Sequence, residues 1–363
     1  LKDIHIVQFS IEEFQSMEQT WRKCLNSSYA DPLFLSWIWQ STWWSIWQPR
    51  LNLNLFLLGI YNDEDLVGLA PCYTYKCSHY FRKTINRCEF IGNYSHSDDS
   101  IRSEYLNFIL PPGQYETYLS KIFSYMQEQG VDEIVLTDID SHNETAKYLA
   151  HNFSNELMST EPGIQINCQE GFDQYLIALG KNTRLKMFNR RKLLGNNRIK
   201  KIENEDEILP FFNQLNIMHK ERWGHPCFSE HSIEFHYRVV TDFLTKGQLD
   251  CLILYNENEP VAISYDISVE GRRYNIQLGF FIPKSNKLSM GTLMLGFAIE
   301  QAHQNEETLY YDLLAGNGKN SFYKEKFKGE KNVFVSFRIP LTGYLKIFQM
   351  IKRSILIIKR YIK

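Results

Sequence analysis

What most constrains the fold of this chain is a succession of elements that occurs twice. In each half, apolar alternation and helical periodicity read strand, helices, several antiparallel strands, helix, strand, helix, strand. No letter-level repeat accompanies it, so the duplication lies in element order alone. The first half opens with a strand near residues 4–9. A capping-box-like start at Ser10-Ile-Glu-Glu13 follows, with apolar residues at helical spacing in Phe14, Met17, Trp21 and Leu25. An aromatic helical stretch over 32–47 reads as core packing rather than a ligand cage. Residues 53–61 and 66–75 predict an antiparallel hairpin across Asn62-Asp-Glu-Asp65. The second half repeats the order from about residue 198.

This alternation predicts an α/β protein with mixed (α+β) sheets in two domains, and 363 residues at roughly 150 per domain agree. The expected boundaries are 1–170, 171–340 and a basic amphipathic C-terminal helix over 341–363, with a basic helical connector at about 171–197. Forty Lys and Arg against 42 Asp and Glu leave a net charge of −2. No global basic field is therefore available to hold nucleic acid, and any polyanion site is local. With 44% hydrophobic and 23% charged residues, the composition excludes disorder, collagen and a multi-span membrane protein. Seven widely spaced cysteines without a C-x-x-C pair read as reduced and structural. The N-terminal alternation lacks the apolar run of a secretory signal, which makes a cytoplasmic setting the expectation.

Chemistry concentrates in the second half. Tyr274-Asn-Ile-Gln277-Leu278-Gly279 reads as a strand, followed by a polar loop and a helix whose first turn carries Ser289, Gly291 and Thr292. Free backbone N–H groups and the helix dipole there suit an anion such as a pyrophosphate. Asp312 ends an apolar strand, and a Gly-rich loop then delivers Tyr323 and Lys324. Asp312 suits a general base and Tyr323 a general acid. Gly316-Asn-Gly318-Lys319 lacks P-loop spacing, which excludes an NTPase of that type. His219 sits one position past an apolar helical face, beside Arg222 and Trp223. His225, Cys227, His231 and His236 have the residue types of a zinc site but no standard module spacing, and no metal is expected.

In the first half, Asp138 and Asp140 resemble the carboxylate pair with which some glycosyltransferases hold a metal sugar-nucleotide. A second polar knot, Ser95-His96-Ser-Asp98-Asp99, ranks above them as a substrate contact. The C-terminus alternates Lys and Arg pairs with Ile, Leu and Phe, as a helix fit to lie on an anionic membrane surface would.

The second half resembles the acyltransferase domain of the GNAT superfamily, in the CelD-like or BioF-like branch related to the FemAB aminoacyltransferases. The resemblance is carried by Lys181-x-x-Arg184, Arg190-Arg191, His219-x-x-Arg222-Trp223, Gly279-Phe-x-x-Pro283 and Ser289-x-Gly291. Met294, Leu295, Glu300-x-Ala302, Tyr311-Asp312-x-Leu314 and Tyr323-Lys324 complete it, over about residues 171–339. Where the family usually has an Arg before the Gly of the post-strand loop, this chain has Ala315. The first half is similar to the family's N-terminal GNAT-like half, so the resemblance implies tandem GNAT-like domains.

It also implies an N-acyltransferase that moves an acyl group from acyl-CoA, acetyl-CoA by default, to a small-molecule amine. The amine would be an amino sugar or related precursor of cell-surface polysaccharide, such as a nucleotide- or lipid-linked sugar. Gln277, Leu278, Gly279, Ser289, Gly291 and Thr292 would hold the donor. Asp312 or His219 would serve as base, with Tyr323 as acid. Arg184, Arg191, Arg222, Trp223, Lys324, Asp98 and Asp99 would contact substrate. Two other readings stand beside this one: a FemAB-type transferase using charged tRNA on a cell-wall precursor, and a non-catalytic membrane-associated binding protein of the same fold.

Overall fold

The computed structural model describes residues 3–78, 83–96, 100–283, 285, 287–315 and 324–351. In chain order the first elements are β1 (Ile4–Gln8), α1 (Ile11–Gln15), α2 (Glu18–Asn26), α3 (Trp37–Leu51), β2 (Asn54–Asn62), β3 (Asp65–Ser78) and β4 (Thr84–Phe90). Next come α4 (Tyr115–Glu128), β5 (Glu133–Asp140), α5 (Glu144–Asn152) and β6 (Leu157–Asn167). Then follow α6 (Phe172–Ala178), α7 (Lys181–Met187), β7 (Asn197–Lys201), α8 (Ile208–Trp223), α9 (Glu230–Thr245), β8 (Leu252–Asn256) and β9 (Glu259–Val269). The last are β10 (Arg272–Phe280), α10 (Met290–Gln304), β11 (Tyr310–Ala315) and β12 (Glu330–Pro340).

Two compact units result: residues 1–160 together with the chain from Phe334, and residues 161–333. Both expected boundaries move. The strand read as closing the first half pairs as β6 with β11 of the second unit, whereas β12 returns to pair antiparallel with β5 of the first. A sequence pattern finds a strand but does not reveal its hydrogen-bonding partner, which is why the limits at 170 and 340 do not hold.

In the first unit the strand order is β1-β2-β3-β4-β5-β12, antiparallel except for β4 and β5. The capping box before α1 forms as expected: the Ser10 N–H donates to Glu13 Oε2 at 2.7 Å and the Glu13 N–H to Ser10 Oγ at 3.2 Å. The aromatic helix is α3, and Trp39, Trp43 and Trp47 are buried on it. Trp43 stacks on Tyr73 with ring centroids 5.6 Å apart, and Trp39 Nε1 donates to Ser103 Oγ at 2.8 Å. The tryptophans therefore bury large apolar area in the core, as the sequence implied.

The second unit has the order β6-β11-β10-β9-β8-β7, antiparallel except for β10 and β11. Its core gathers Ile166, Tyr175, Met187, Leu254, Leu295 and Tyr311 around α10. The basic stretch is helical, and it packs within this unit. Met187 at the end of α7 is fully buried, and a Cβ built on Gly296 of α10 would stand 2.5 Å from the Met187 carbonyl oxygen. Only a glycine lets the two backbones approach so closely. Gly296→Ala is expected to lower stability by about 1–3 kcal/mol through overpacking, although Ala favours a helix by about 1 kcal/mol over Gly. A urea unfolding curve reads the difference, and an unchanged midpoint would mean that α7 shifts without strain.

Candidate active site

The site in the second unit is built by one irregularity between parallel neighbours. The β10–β11 ladder holds Arg272↔Tyr310, Arg273↔Tyr311 and Tyr274↔Asp312, and there it stops, while β10 runs on to Phe280. A bulge on each strand opens the gap. On β10 the register with β9 slips between Asn275 and Gln277; on β11 the register with β6 slips between Asp312 and Ala315. Gln277, Leu278 and Gly279 therefore lie on the stretch of β10 beyond the last parallel pair.

Asp312 sits at the base of this opening, 1% exposed. Its Oδ1 accepts the Leu314 N–H at 2.8 Å and its Oδ2 accepts Gln165 Nε2 at 3.1 Å. Leu314 adopts φ 59, a left-handed conformation that a side chain resists by roughly 1–2 kcal/mol. Lys324 secures that strained turn, because its Nζ donates to the carbonyls of Leu313, Leu314 and Ala315 at 2.7, 3.0 and 2.7 Å. Three ammonium protons meet three consecutive carbonyls. Lys324 thus fixes the end of β11.

At the mouth, three elements converge on Phe280. A Cβ on Gly291 would overlap the Phe280 ring, and the Arg222 guanidinium from α8 lies 4.1 Å from that ring's centroid. Arg222 also lies 4.7 Å from the Trp223 ring, which is half exposed. A cation thus stands against the ring that covers the start of α10. Within that first turn Thr292 is buried, and its Oγ1 meets Ser289 Oγ at 2.9 Å.

His219 lies one turn before Trp223, its Nδ1 2.9 Å from the His225 carbonyl oxygen, where it fastens the loop after α8. Arg184 Nη1 donates to the Leu176 carbonyl at 3.2 Å, tying α7 to α6. Arg191 pairs with Glu300 and stacks on Phe297 at 3.7 Å. These three contacts are with the protein itself. Tyr323, Asp98 and Asp99 fall outside the described residues. The zinc-type residues do not assemble: Cys227 Sγ donates to Asn216 Oδ1 at 3.2 Å, and His236 is buried among Phe228, Phe235 and Tyr265. Among the described residues no group of three potential ligands gathers.

Sequence reasoning missed a buried polar network beneath the cleft. Asp266 accepts from Ser264 Oγ (2.6 Å), Asn275 Nδ2 (2.7 Å) and Tyr311 OH (2.9 Å). Arg273 stands beside it and reaches Asp250 at 3.1 Å. The signal was the alternation Ser264, Asp266, Ser268 along an otherwise apolar strand, which places all three on one face.

The first unit holds a counterpart of the cleft with different chemistry. Its parallel ladder also has three pairs, ending at Glu89↔Val135, and β5 bulges against β12 between Leu136 and Ile139. Asp138 there has φ 58, matching Leu314. Counted from the bulge, Leu136 stands where Asp312 does, and the last parallel pair carries Val135. Asp138 itself is neutralised: Arg102 pairs with it, and Asn93 Nδ2 donates to its Oδ2 at 2.9 Å. Asp140 turns away to accept the His142 N–H at 2.9 Å. The two carboxylates do not form the metal-holding pair that the sequence suggested. Ser95, from the polar knot, donates its N–H to the buried Glu89 at 2.9 Å, which anchors that loop.

Residues 181–325, a segment within the second unit, match the acetyltransferase (GNAT) domain family. Among solved structures the chain is similar to FemX, with 10% identity, a TM-score of 0.57, and coverage of 91% of this chain and 96% of that one. It is also similar to a conserved protein of unknown function from Bacteroides thetaiotaomicron VPI-5482, with 10% identity, a TM-score of 0.52, and coverage of 92% and 99%. At these identities the likeness is one of fold. No curated protein sequence matches the chain.

Two buried groups of the second unit give opposed pH dependences. Burial pushes the Asp266 carboxyl up from 3.8 to about 6, and burial pushes the His236 imidazole down from 6.5 to about 3. Between about pH 4 and pH 6 the folded chain keeps the Asp266 proton that the unfolded chain releases, so this group's stabilisation is lost as pH rises. Over the same window folded His236 stays neutral while the unfolded imidazole is charged, so its stabilisation is lost as pH falls. Each slope is about 1 kcal/mol per pH unit, and in the native chain they offset. Asp266→Asn is expected to leave stability rising across the window, and His236→Phe to leave it falling. Urea midpoints at about pH 4.5 and pH 6 read both, and parallel pH profiles for all three proteins would contradict the assignment.

Proposed function

We propose that this protein is an N-acyltransferase that moves an acyl group from acyl-CoA to an amine. The observation carrying the reading is the opening between β10 and β11, with Asp312 at its base and the Arg222–Phe280–Gly291 stack at its mouth. The donor's thioester would lie along β10 beyond Tyr274, where a backbone N–H in the Gln277–Gly279 stretch polarises its carbonyl. The pyrophosphate would meet Arg222 and the start of α10 at Ser289.

The amine must shed a proton before or as it attacks the carbonyl carbon. Asp312, held by the Leu314 N–H and Gln165, accepts that proton directly or through a water. Tyr323 is the proposed acid for the departing thiolate. The acceptor class, an amino sugar or related amine of a surface-polysaccharide precursor, rests on the family resemblance alone, as does the choice of acetyl-CoA as default donor.

Calorimetric titration with acetyl-CoA, longer acyl-CoAs and free CoA tests the reading. We expect one donor site per chain, because the first unit carries Leu136 where Asp312 stands beside the bulge and spends Asp138 on Arg102. Gly291→Val drives the Phe280 ring from its place and is expected to weaken binding by about tenfold or more, a change of about 1.4 kcal/mol. A thermal melt of the variant controls for misfolding. Saturation at two donors per chain would reassign the first unit. Absence of binding to every CoA species would sink the reading and favour a charged-tRNA donor, the FemAB-type alternative.

A further inference from the structure

The last described helix, residues 343–351, presents two unlike faces. Leu341 and Leu345 are buried, and Lys83 Nζ sits 4.2 Å from the Tyr344 ring centroid, so this side of the segment is docked on the first unit. The Leu341 N–H donates to the Asp132 carbonyl at 2.8 Å and fixes where the segment leaves β12. On the other side Ile347, Met350 and Ile351 are 61%, 64% and 54% exposed. Spacings of three and four place them on one stripe.

In the sequence that follows, Ile355, Ile358 and Ile362 recur in phase with Ile347 and Ile351. Lys346, Lys352, Arg353, Lys359, Arg360 and Lys363 punctuate the same stretch, and residues 341–363 contain no Asp or Glu. In a chain with a net charge of −2, every charged residue over 341–363 is thus basic, beside an outward apolar stripe at Ile347, Met350 and Ile351. An acidic protein surface would satisfy the cations but leave the isoleucines in water, and a plain apolar groove would leave the cations unpaired. An anionic bilayer surface offers both, because acyl chains lie beneath a layer of negative headgroups. Among the described residues no helix is long and apolar enough to cross a membrane, and the charges interrupt this stretch every few residues.

We infer that this basic C-terminal region binds anionic membrane surfaces, with the exposed Ile347 and Ile351 of the helix over 343–351 entering the acyl boundary. The proposal concerns the partner of the first unit and does not depend on the chemistry of the second.

The test is co-sedimentation of the full chain with phosphatidylcholine vesicles, with and without phosphatidylglycerol, at low and high salt. Binding is expected only to the vesicles containing phosphatidylglycerol, and to weaken as salt rises. Ile347→Glu with Ile351→Glu is expected to reduce it by about tenfold or more, since each isoleucine loses its apolar burial. The double variant should keep its melting temperature and its titration with acetyl-CoA, so a failure here is distinguishable from a failure of the acyltransferase reading. No binding, or binding that the double variant retains in full, would overturn the inference. A dimer by size exclusion that the variant dissolves, without vesicle affinity, would overturn it in favour of an interface between copies.

Discussion

Three parallel pairs and then a parting of strands organise the second unit. Had β10 and β11 continued in register past Tyr274 and Asp312, their backbone groups would satisfy one another and leave no edge for a ligand. The parting is enforced from both sides. A bulge after Asn275 re-aims β10, and the left-handed Leu314 bends β11 toward β6. Leu314 holds that conformation because the Asp312 carboxylate takes its N–H and Lys324 takes its carbonyl along with the two beside it. The buried carboxylate at the base of the opening thus also holds the turn beside it, and local strain sits where the surrounding bonds over-determine it.

The two units show how one backbone solution is filled in different ways. Each has a short parallel ladder, a bulge on the following strand and a non-glycine residue near φ 58. In the second unit a carboxylate precedes the bulge. In the first, Leu136 stands there, and the polar groups nearby satisfy each other: Glu89 with Tyr75 at 2.8 Å, and Asp138 with Arg102 and Asn93. A duplicated fold does not carry duplicated chemistry, since the site lies in side chains rather than in topology.

Much of the architecture was legible in the residues. The hairpin of β2 and β3, the aromatic α3, the Ser10 capping box and the repeated element order follow from local periodicity and caps, which act within a few residues of one another. The buried acid Asp266 was less legible. It sits in an apolar run, and its partners Ser264, Asn275 and Tyr311 meet it only once three strands are in register. Lys324 was named a substrate contact through the family resemblance, and only the fold brings its ammonium onto three strand carbonyls. The exchange of β6 and β12 across the expected boundaries had no local signal at all.

The sequence by itself determined the class of fold and the twofold element order, because periodicity and caps are written locally. Tertiary structure decided which strand joins which unit, where the two bulges fall, and which cations meet protein partners. It also decided that Ile347 and Ile351 face outward while Leu345 faces in. These are outcomes of pairing and packing between residues far apart in the chain, and no local pattern encodes the partner.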